Sequence, residues 1–307
     1  MKNNFPIILY VLIFILTVNL SVGQSKDNPA NTGLPFLKLG AGSRAVGMGE
    51  AFVAVANDAN SAYWNPAGLT QISGTELTFT HNKWLQDITN EFVAVGFRVG
   101  DNAFGVSFMS NSIGGIERRV KPAAEPIDVL TAHDIMFGIS YARNFGSNLS
   151  SGLTVKYLYQ KIYVESSAGV AVDWGLQYQT PLSGLKSGLS LQNFGVVTKL
   201  RDESTKLPQT IQLGLAYQLP LHIIQGEFLV AADWMKILAS TSHINIGLEY
   251  NFIKYFALRL GYQTGFEDKS IHGGFGVQFN RYRLDYAYVP FSSDLGNSHR
   301  ISVGIKL

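Results

Sequence analysis

The chain is 307 residues long, with 24 Lys+Arg against 22 Asp+Glu, no cysteine and only 15% charged residues, where an ordinary soluble domain carries about 25%. A net charge of +2 without any block of Lys or Arg excludes a phosphate-binding stripe and a nucleic-acid partner. The lack of cysteine excludes disulfide frameworks, thiolate metal sites and lipid attachment through a thiol.

Lys2 precedes an apolar run over 5–20 that only Pro6, Thr17 and Asn19 interrupt, and Ser21-Val22-Gly23 follows. A basic start, a short apolar stretch and small residues at the end describe a secretory signal peptide over 1–23. The competing reading, an N-terminal membrane anchor, needs about 20 residues, and this run has 16. No later stretch offers 18 consecutive apolar residues, so no membrane-crossing helix is expected in the exported chain.

Residues 24–74 do not alternate. They hold Gly40, Gly42, Gly47 and Gly49 around Arg44 and Glu50, the apolar run 51–56, Asp58, and Tyr63-Trp64-Asn65-Pro66-Ala67-Gly68. Residues 40–45 fit the pattern G-x-G-x-x-A, but a dinucleotide site needs that turn inside a βαβ unit with a parallel sheet. The downstream pattern is antiparallel, so the glycines read instead as a compact segment packed where space is tight. In Asn65-Pro66-Ala67-Gly68, Pro fixes φ and Asn caps the turn that leads into the first strand.

From Thr75 the sequence falls into fourteen short segments with period-2 alternation, separated by turn residues. Phe228, Val230, Ala232 and Trp234 form one such apolar set; Phe256, Leu258, Leu260 and Tyr262 another; Ile301, Val303, Ile305 and Leu307 close the series. The intervening positions are polar, charged or glycine, among them Lys156, Asp173, Glu227, Asp233, Glu249, Arg259, Arg283 and Asp285. A soluble sandwich also alternates, but its strands run nearer 5–6 residues; these segments approach the ten that a tilted strand needs to cross a bilayer. Tyr178, Tyr217, Trp234, Tyr250, Tyr262 and Tyr288 lie at segment ends, where an interfacial girdle belongs. The odd-numbered connections average about ten residues and the even-numbered about four, the asymmetry of outer-membrane barrels. The expectation is all-β: a 14-stranded antiparallel transmembrane β-barrel over 75–307, in contact with outer-membrane lipid. A barrel of that size leaks unless filled, so 24–74 is expected to act as a plug, with Arg44, Glu50 and Asp58 pairing with lumen charges.

Two sets of residues are candidate functional positions. The first is the plug motif: Arg44, Gly47, Gly49, Glu50, Trp64, Asn65 and Pro66. The second lies in the two longest connections expected outside: Arg118, Arg119 and Lys121 within 111–132, and Lys199, Arg201 and Lys206 within 193–208. Charged outer loops are where a barrel meets partners. The six histidines stand isolated, with no H-E-x-x-H spacing, and no G-x-S-x-G elbow occurs. No catalytic residue, metal site or cofactor is assigned, and the chain is read as non-enzymatic.

The stretch from Phe36-Leu37-Lys38-Leu39-Gly40 through Ser43-Arg44-Ala45-Val46-Gly47-Met48-Gly49-Glu50 to Trp64-Asn65-Pro66-Ala67-Gly68-Leu69 resembles the N-terminal signature of the PorV/PorQ outer-membrane family. The C-terminal Leu284-Asp285-Tyr286-Ala287-Tyr288-Val289-Pro290-Phe291 resembles it as well. That family is similar in fold to FadL-type transporters of hydrophobic compounds, which share the Asn-Pro-Ala element and a plugged fourteen-stranded barrel. The resemblance implies a component or cargo-binding accessory of type IX protein secretion, with a translocon and cargo signal domains as partners. The alternative it leaves open is a FadL-like transporter holding a hydrophobic ligand or detergent in its lumen.

Overall fold

The computed structural model describes residues 32–307 apart from 86–87, 120–125, 202–205, 224, 239, 241, 254, 267–268 and 293–295. The expected signal peptide over 1–23, residues 24–31 of the expected plug and Lys121 lie outside the described residues. Fourteen strands run β1 (Thr75–Lys83), β2 (Ile88–Val99), β3 (Asn102–Arg118), β4 (Asp128–Phe145), β5 (Leu149–Ile162), β6 (Glu165–Gln179), β7 (Leu185–Val197), β8 (Thr210–Ile223), β9 (Gly226–Ile237), β10 (Ser242–Phe252), β11 (Phe256–Gln263), β12 (Ile271–Phe279), β13 (Tyr282–Pro290) and β14 (Asn297–Lys306). Each pairs antiparallel with its chain neighbour, and β1 pairs with β14 from Glu76↔Lys306 to Lys83↔His299, closing the barrel. Closure leaves no free sheet edge, as a bilayer demands.

Alternation sets the two faces. Phe79, Val106, Leu258, Leu260 and Val303 stand exposed on the outside, while Thr78, Thr80, Asn245, Gln263 and Ser302 are buried inside. Among the described residues no helix is long and apolar enough to cross a membrane. Tyr217, expected in the outer girdle, is instead buried: the bend at Gly184 brings the β6–β7 turn against its ring.

The connections differ from the sequence expectation on one side. β3 and β4 stay paired out to Arg118↔Asp128, so their link is 119–127 and not 111–132; β5 and β6 are joined by 163–164 alone. Apolar alternation reports only the part of a strand that faces lipid. Above the bilayer the ladder continues without any need for an apolar face, and the pattern goes silent while the strand goes on. The links β1–β2, β3–β4 and so on still include the longest, 198–209, whereas those at the other end hold two to five residues. Long connections face outward in outer-membrane barrels, which puts the start of β1 and the end of β14 on the periplasmic side.

Residues 32–74 lie against the inward faces of the strands. They form a 3-10 turn (Pro35–Lys38), α1 (Ser43–Gly47), α2 (Ser61–Trp64) and a second 3-10 helix (Pro66–Gln71). Helices this short do not hold themselves in water; the wall holds them. Phe36, Leu37, Tyr63 and Trp64 join one buried apolar cluster with Phe92, Met109, Met136 and Leu158, which sit side by side across β2, β3, β4 and β5. This apolar shelf inside the barrel departs from the expectation of a mostly polar lumen.

Candidate functional site

Three contacts tie the N-terminal segment to the wall, one on β5–β7 and two on the strands from β10 to β14. On the β5–β7 arc, Asn65 caps the second 3-10 helix through Ala67 N, 3.2 Å, and its amide donates to Val53 O at 2.9 Å and Leu176 O at 3.1 Å. Pro66 occupies the first turn of that helix, where a missing N–H costs nothing. The wall beneath is glycine: a Cβ at Gly175 would stand 2.0 Å from Asn65 Oδ1, and one at Gly152 would stand 2.5 Å from the carbonyl carbon of Pro66. Trp64 donates from Nε1 to Ala41 O at 2.7 Å and meets Tyr63 edge-on at 5.1 Å, while Tyr63 donates to Leu37 O.

On the β10–β12 arc the glycines of the motif approach the wall directly. Gly49 has φ +63°, and a Cβ there would lie 2.7 Å from Tyr262 N; Gly47 faces the Cα of Gly274. Glu50, also at φ 63°, is buried with Oε2 accepting from Gln263 at 3.2 Å and Oε1 at 3.7 Å from Lys269 Nζ. Burial opposes its charge, but Lys269, His272 and Arg300 outweigh burial and hold the carboxyl below its ordinary range. Nearby, Ser43 donates its amide to Ser302 Oγ at 2.8 Å, and Arg300 donates to Gly40 O and Leu39 O.

The third contact is a closed ring of alternating charges. Arg44 forks onto Glu249, both contacts at 2.8 Å. Glu249 accepts from Arg259 at 2.7 Å, and Arg259 reaches Asp285 at 2.8 Å. Arg283 Nε lies 2.9 Å from Asp285 Oδ2, off the hydrogen-bond axis; its Nη2 donates to Asp58 at 3.0 Å, and Asp58 returns to Arg44 at 3.7 Å. Burial would raise the Asp58 carboxyl; Arg283 and Arg44 overcome it and hold the group below the ordinary carboxylate range. The ring joins two residues of the segment to four of β10, β11 and β13. The expected pairing of plug and lumen charges thus holds for Arg44 and Asp58. Asp233 instead accepts from the amides of Phe52 and Val53, at 2.8 and 2.9 Å. Lys156 and Asp173 pair with each other, Glu50 turns to Lys269, and Glu227 is exposed.

Two cavities flank the segment. One, of about 330 Å³, opens at the outer end and is lined by Leu37, Val46, Trp84, Met235, Phe266 and Phe291 among others. The other, of about 410 Å³ and mostly polar, opens at the periplasmic end around Arg44, Asp58, Glu249, Asn251 and Arg283.

The loop candidates are not a single patch. Arg118 ends β3 opposite Asp128, and Arg119 pairs with Glu117 at 2.7 Å. Lys199, Arg201 and Lys206 are exposed on the link 198–209. That link is tied down: Leu207 is buried in the cluster around Trp64, and Lys206 O accepts from Gly33 N. Sequence reasoning missed the inward shelf of Phe92, Met109, Met136 and Leu158, although these are apolar residues out of phase with the lipid-facing set. It also missed the wall glycines as the footprint of the N-terminal segment.

Comparison with known proteins places the chain. The family profile described as type IX secretion system protein PorV matches residues 22–242. A UPF0164 protein of Treponema pallidum is 28% identical over 177 residues, 52% of each chain, so the chain spans about half the length of that curated relative. The monoaromatic hydrocarbon channel CymD superposes with a TM-score of 0.64 at 15% identity, over 87% of this chain and 96% of that one. The toluene transporters TodX of Pseudomonas putida and TbuX of Ralstonia pickettii superpose at 0.62 and 0.60, with 14% and 15% identity, each over 87% of this chain and 97% of the other. Identities this low speak for the fold alone, a closed β-barrel. A closed fourteen-stranded wall and a profile match over most of its length together show that the chain belongs to the PorV family of outer-membrane proteins.

Proposed function

We propose that the protein is a non-enzymatic docking barrel of type IX secretion, with its lumen stoppered by residues 24–74 and its outer loops receiving a translocon subunit and the signal domains of secreted cargo. The observation that carries this reading is the triple anchoring of the N-terminal segment. A channel for bulk solutes has no use for a filling held by a six-membered charge ring, a glycine footprint and an apolar shelf; a platform that is closed at rest does. In this reading Arg44, Gly47, Gly49, Glu50, Trp64, Asn65 and Pro66 hold the stopper. Arg118 and Arg119, with Lys199, Arg201 and Lys206, offer cationic contacts at the outer rim, and Lys121, outside the described residues, is proposed to join them.

A tagged chain extracted in mild detergent tests it. Recovery of a large outer-membrane translocon or of secreted proteins is the expected result. The second reading, passage of a hydrophobic small molecule, draws on the outer cavity and its apolar lining. A monomer that carries co-extracted fatty acid and no protein would establish that reading in place of the first.

A further inference from the structure

The outer cavity and the periplasmic vestibule are separated at α1. Val46 and Glu50 line the outer space and Arg44 the inner one, so one short helix and the residues just after it stand between about 330 Å³ open to the outside and about 410 Å³ open to the periplasm. The helix is five residues long, too short to hold itself. Gly42 and Gly49 flank it, both at positive φ, where a glycine can swing the chain at low cost. Its fastenings are therefore tertiary: Arg44 in the charge ring on one side, Ser43 on Ser302 and Val46 O on His272 on the other. Of these the ring is the fastening that water reaches, since Arg44 and Arg283 are 12% and 14% exposed toward the vestibule.

We propose that α1 is a gate between the two spaces and that the ring is its latch, so that release of Arg44 from Glu249 and Asp58 joins the cavities into one water-filled path for small ions along β10–β14. The proposal rests on the reading of 24–74 as a stopper. It assigns opening to one helix and leaves the shelf side, with Tyr63 and Trp64 on Phe92 and Met109, in place. A buried charge that loses its partner is strongly destabilising, so weakening one member loosens the whole latch.

The natural chain has no cysteine, which allows a direct test in planar bilayers with potassium chloride. Glu249→Gln keeps the shape and removes the charge that Arg44 and Arg259 share; open events should become at least about tenfold more frequent than in the natural chain. On that background Ser43→Cys with Ser302→Cys replaces two oxygens 2.8 Å apart; oxidation should return the conductance to the closed level, and reductant should restore the openings. Heat-modifiable migration on gels checks that each variant is a folded barrel. Arg44→Lys, which loses the fork but keeps the charge, serves if Glu249→Gln does not fold and should give an intermediate opening frequency. A folded Glu249→Gln barrel as closed as the natural chain, while deletion of 24–74 conducts, overturns the latch and leaves the stopper standing. Deletion that fails to conduct overturns both. Openings that survive the oxidised cysteine pair place the gate elsewhere than α1 and overturn the assignment.

Discussion

Replacing Asp58 by Asn tests the electrostatic anchoring of the N-terminal segment. The side chain is 2% exposed, Oδ1 accepts from Asn60 N and Nδ2 at 2.9 and 3.0 Å, and Oδ2 faces Arg283 at 3.0 Å and Arg44 at 3.7 Å. Asparagine can keep both bonds to Asn60 but turns an amide toward two guanidinium groups. Removing one partner of a buried pair costs about 3–5 kcal/mol. Arg283 retains Asp285 and Arg44 retains Glu249, so the lower end applies, about 3 kcal/mol. At about 1.4 kcal/mol per decade, local opening of the segment becomes roughly a hundredfold more frequent. Hydrogen exchange in detergent micelles, followed by mass spectrometry, reads this directly. Peptides within 43–60 should exchange about a hundredfold faster in D58N, while peptides from β3 to β6 keep their rates, because those ladders do not involve Asp58. Exchange of 43–60 within about threefold of the natural chain would refute the reasoning: the ring would then be an ornament on a segment held by its apolar side.

Other outcomes follow from the same contacts. Trp64→Ala removes a ring that is 2% exposed and packed against Phe52 and Tyr63; a loss of about 3–5 kcal/mol should appear in denaturant titrations of protease resistance within 32–74, and a loss under about 1 kcal/mol would contradict the packing. Gly49→Ala and Gly100→Ala both place alanine at φ near +60°, but only Gly49 has a wall atom in the way, Tyr262 N at 2.7 Å. Thermal scanning should therefore show the larger drop for Gly49→Ala, by more than the shared backbone cost of about 1–2 kcal/mol, and equal drops would count against the close approach. Glu50 and Asp58 are held below the ordinary carboxylate range in the folded chain. The unfolded segment then binds protons at a higher pH than the folded one, so this part of the anchoring is complete above a pH of about 4 and is lost as the pH falls further. Melting of the segment should move to lower temperature on acidification below that point, and a shift to higher temperature would reverse the sign of the argument.

How much of this the sequence carried depends on how local each signal is. Fourteen strands, and the polar side chains that face inward, were legible because lipid demands an apolar side chain at every second position. The outward reach of β3 and β4 was not, since beyond the bilayer nothing enforces the pattern through Arg118 and Asp128. Half of the charge ring was within reach: Glu249 and Arg259 are cross-strand partners about a short turn, and Arg283 and Asp285 stand two apart on one face of β13. The other half was not, because Arg44 and Asp58 meet them across 205 and 225 residues of chain, a distance that only the closure of the barrel resolves. Asn65 and Pro66 were readable as a cap and a helix start. Their seat on Gly152 and Gly175 was not, although inward glycines along β5 to β12 are the trace such a segment leaves on a wall.

Closure of the lumen by the N-terminal segment is measured most directly by single-channel recording of the full chain beside a chain lacking 24–74. The full chain should show a low, mostly closed conductance and the shortened barrel a large, steady one, as an unfilled lumen of fourteen strands requires. Equal conductance from two folded barrels would contradict the account.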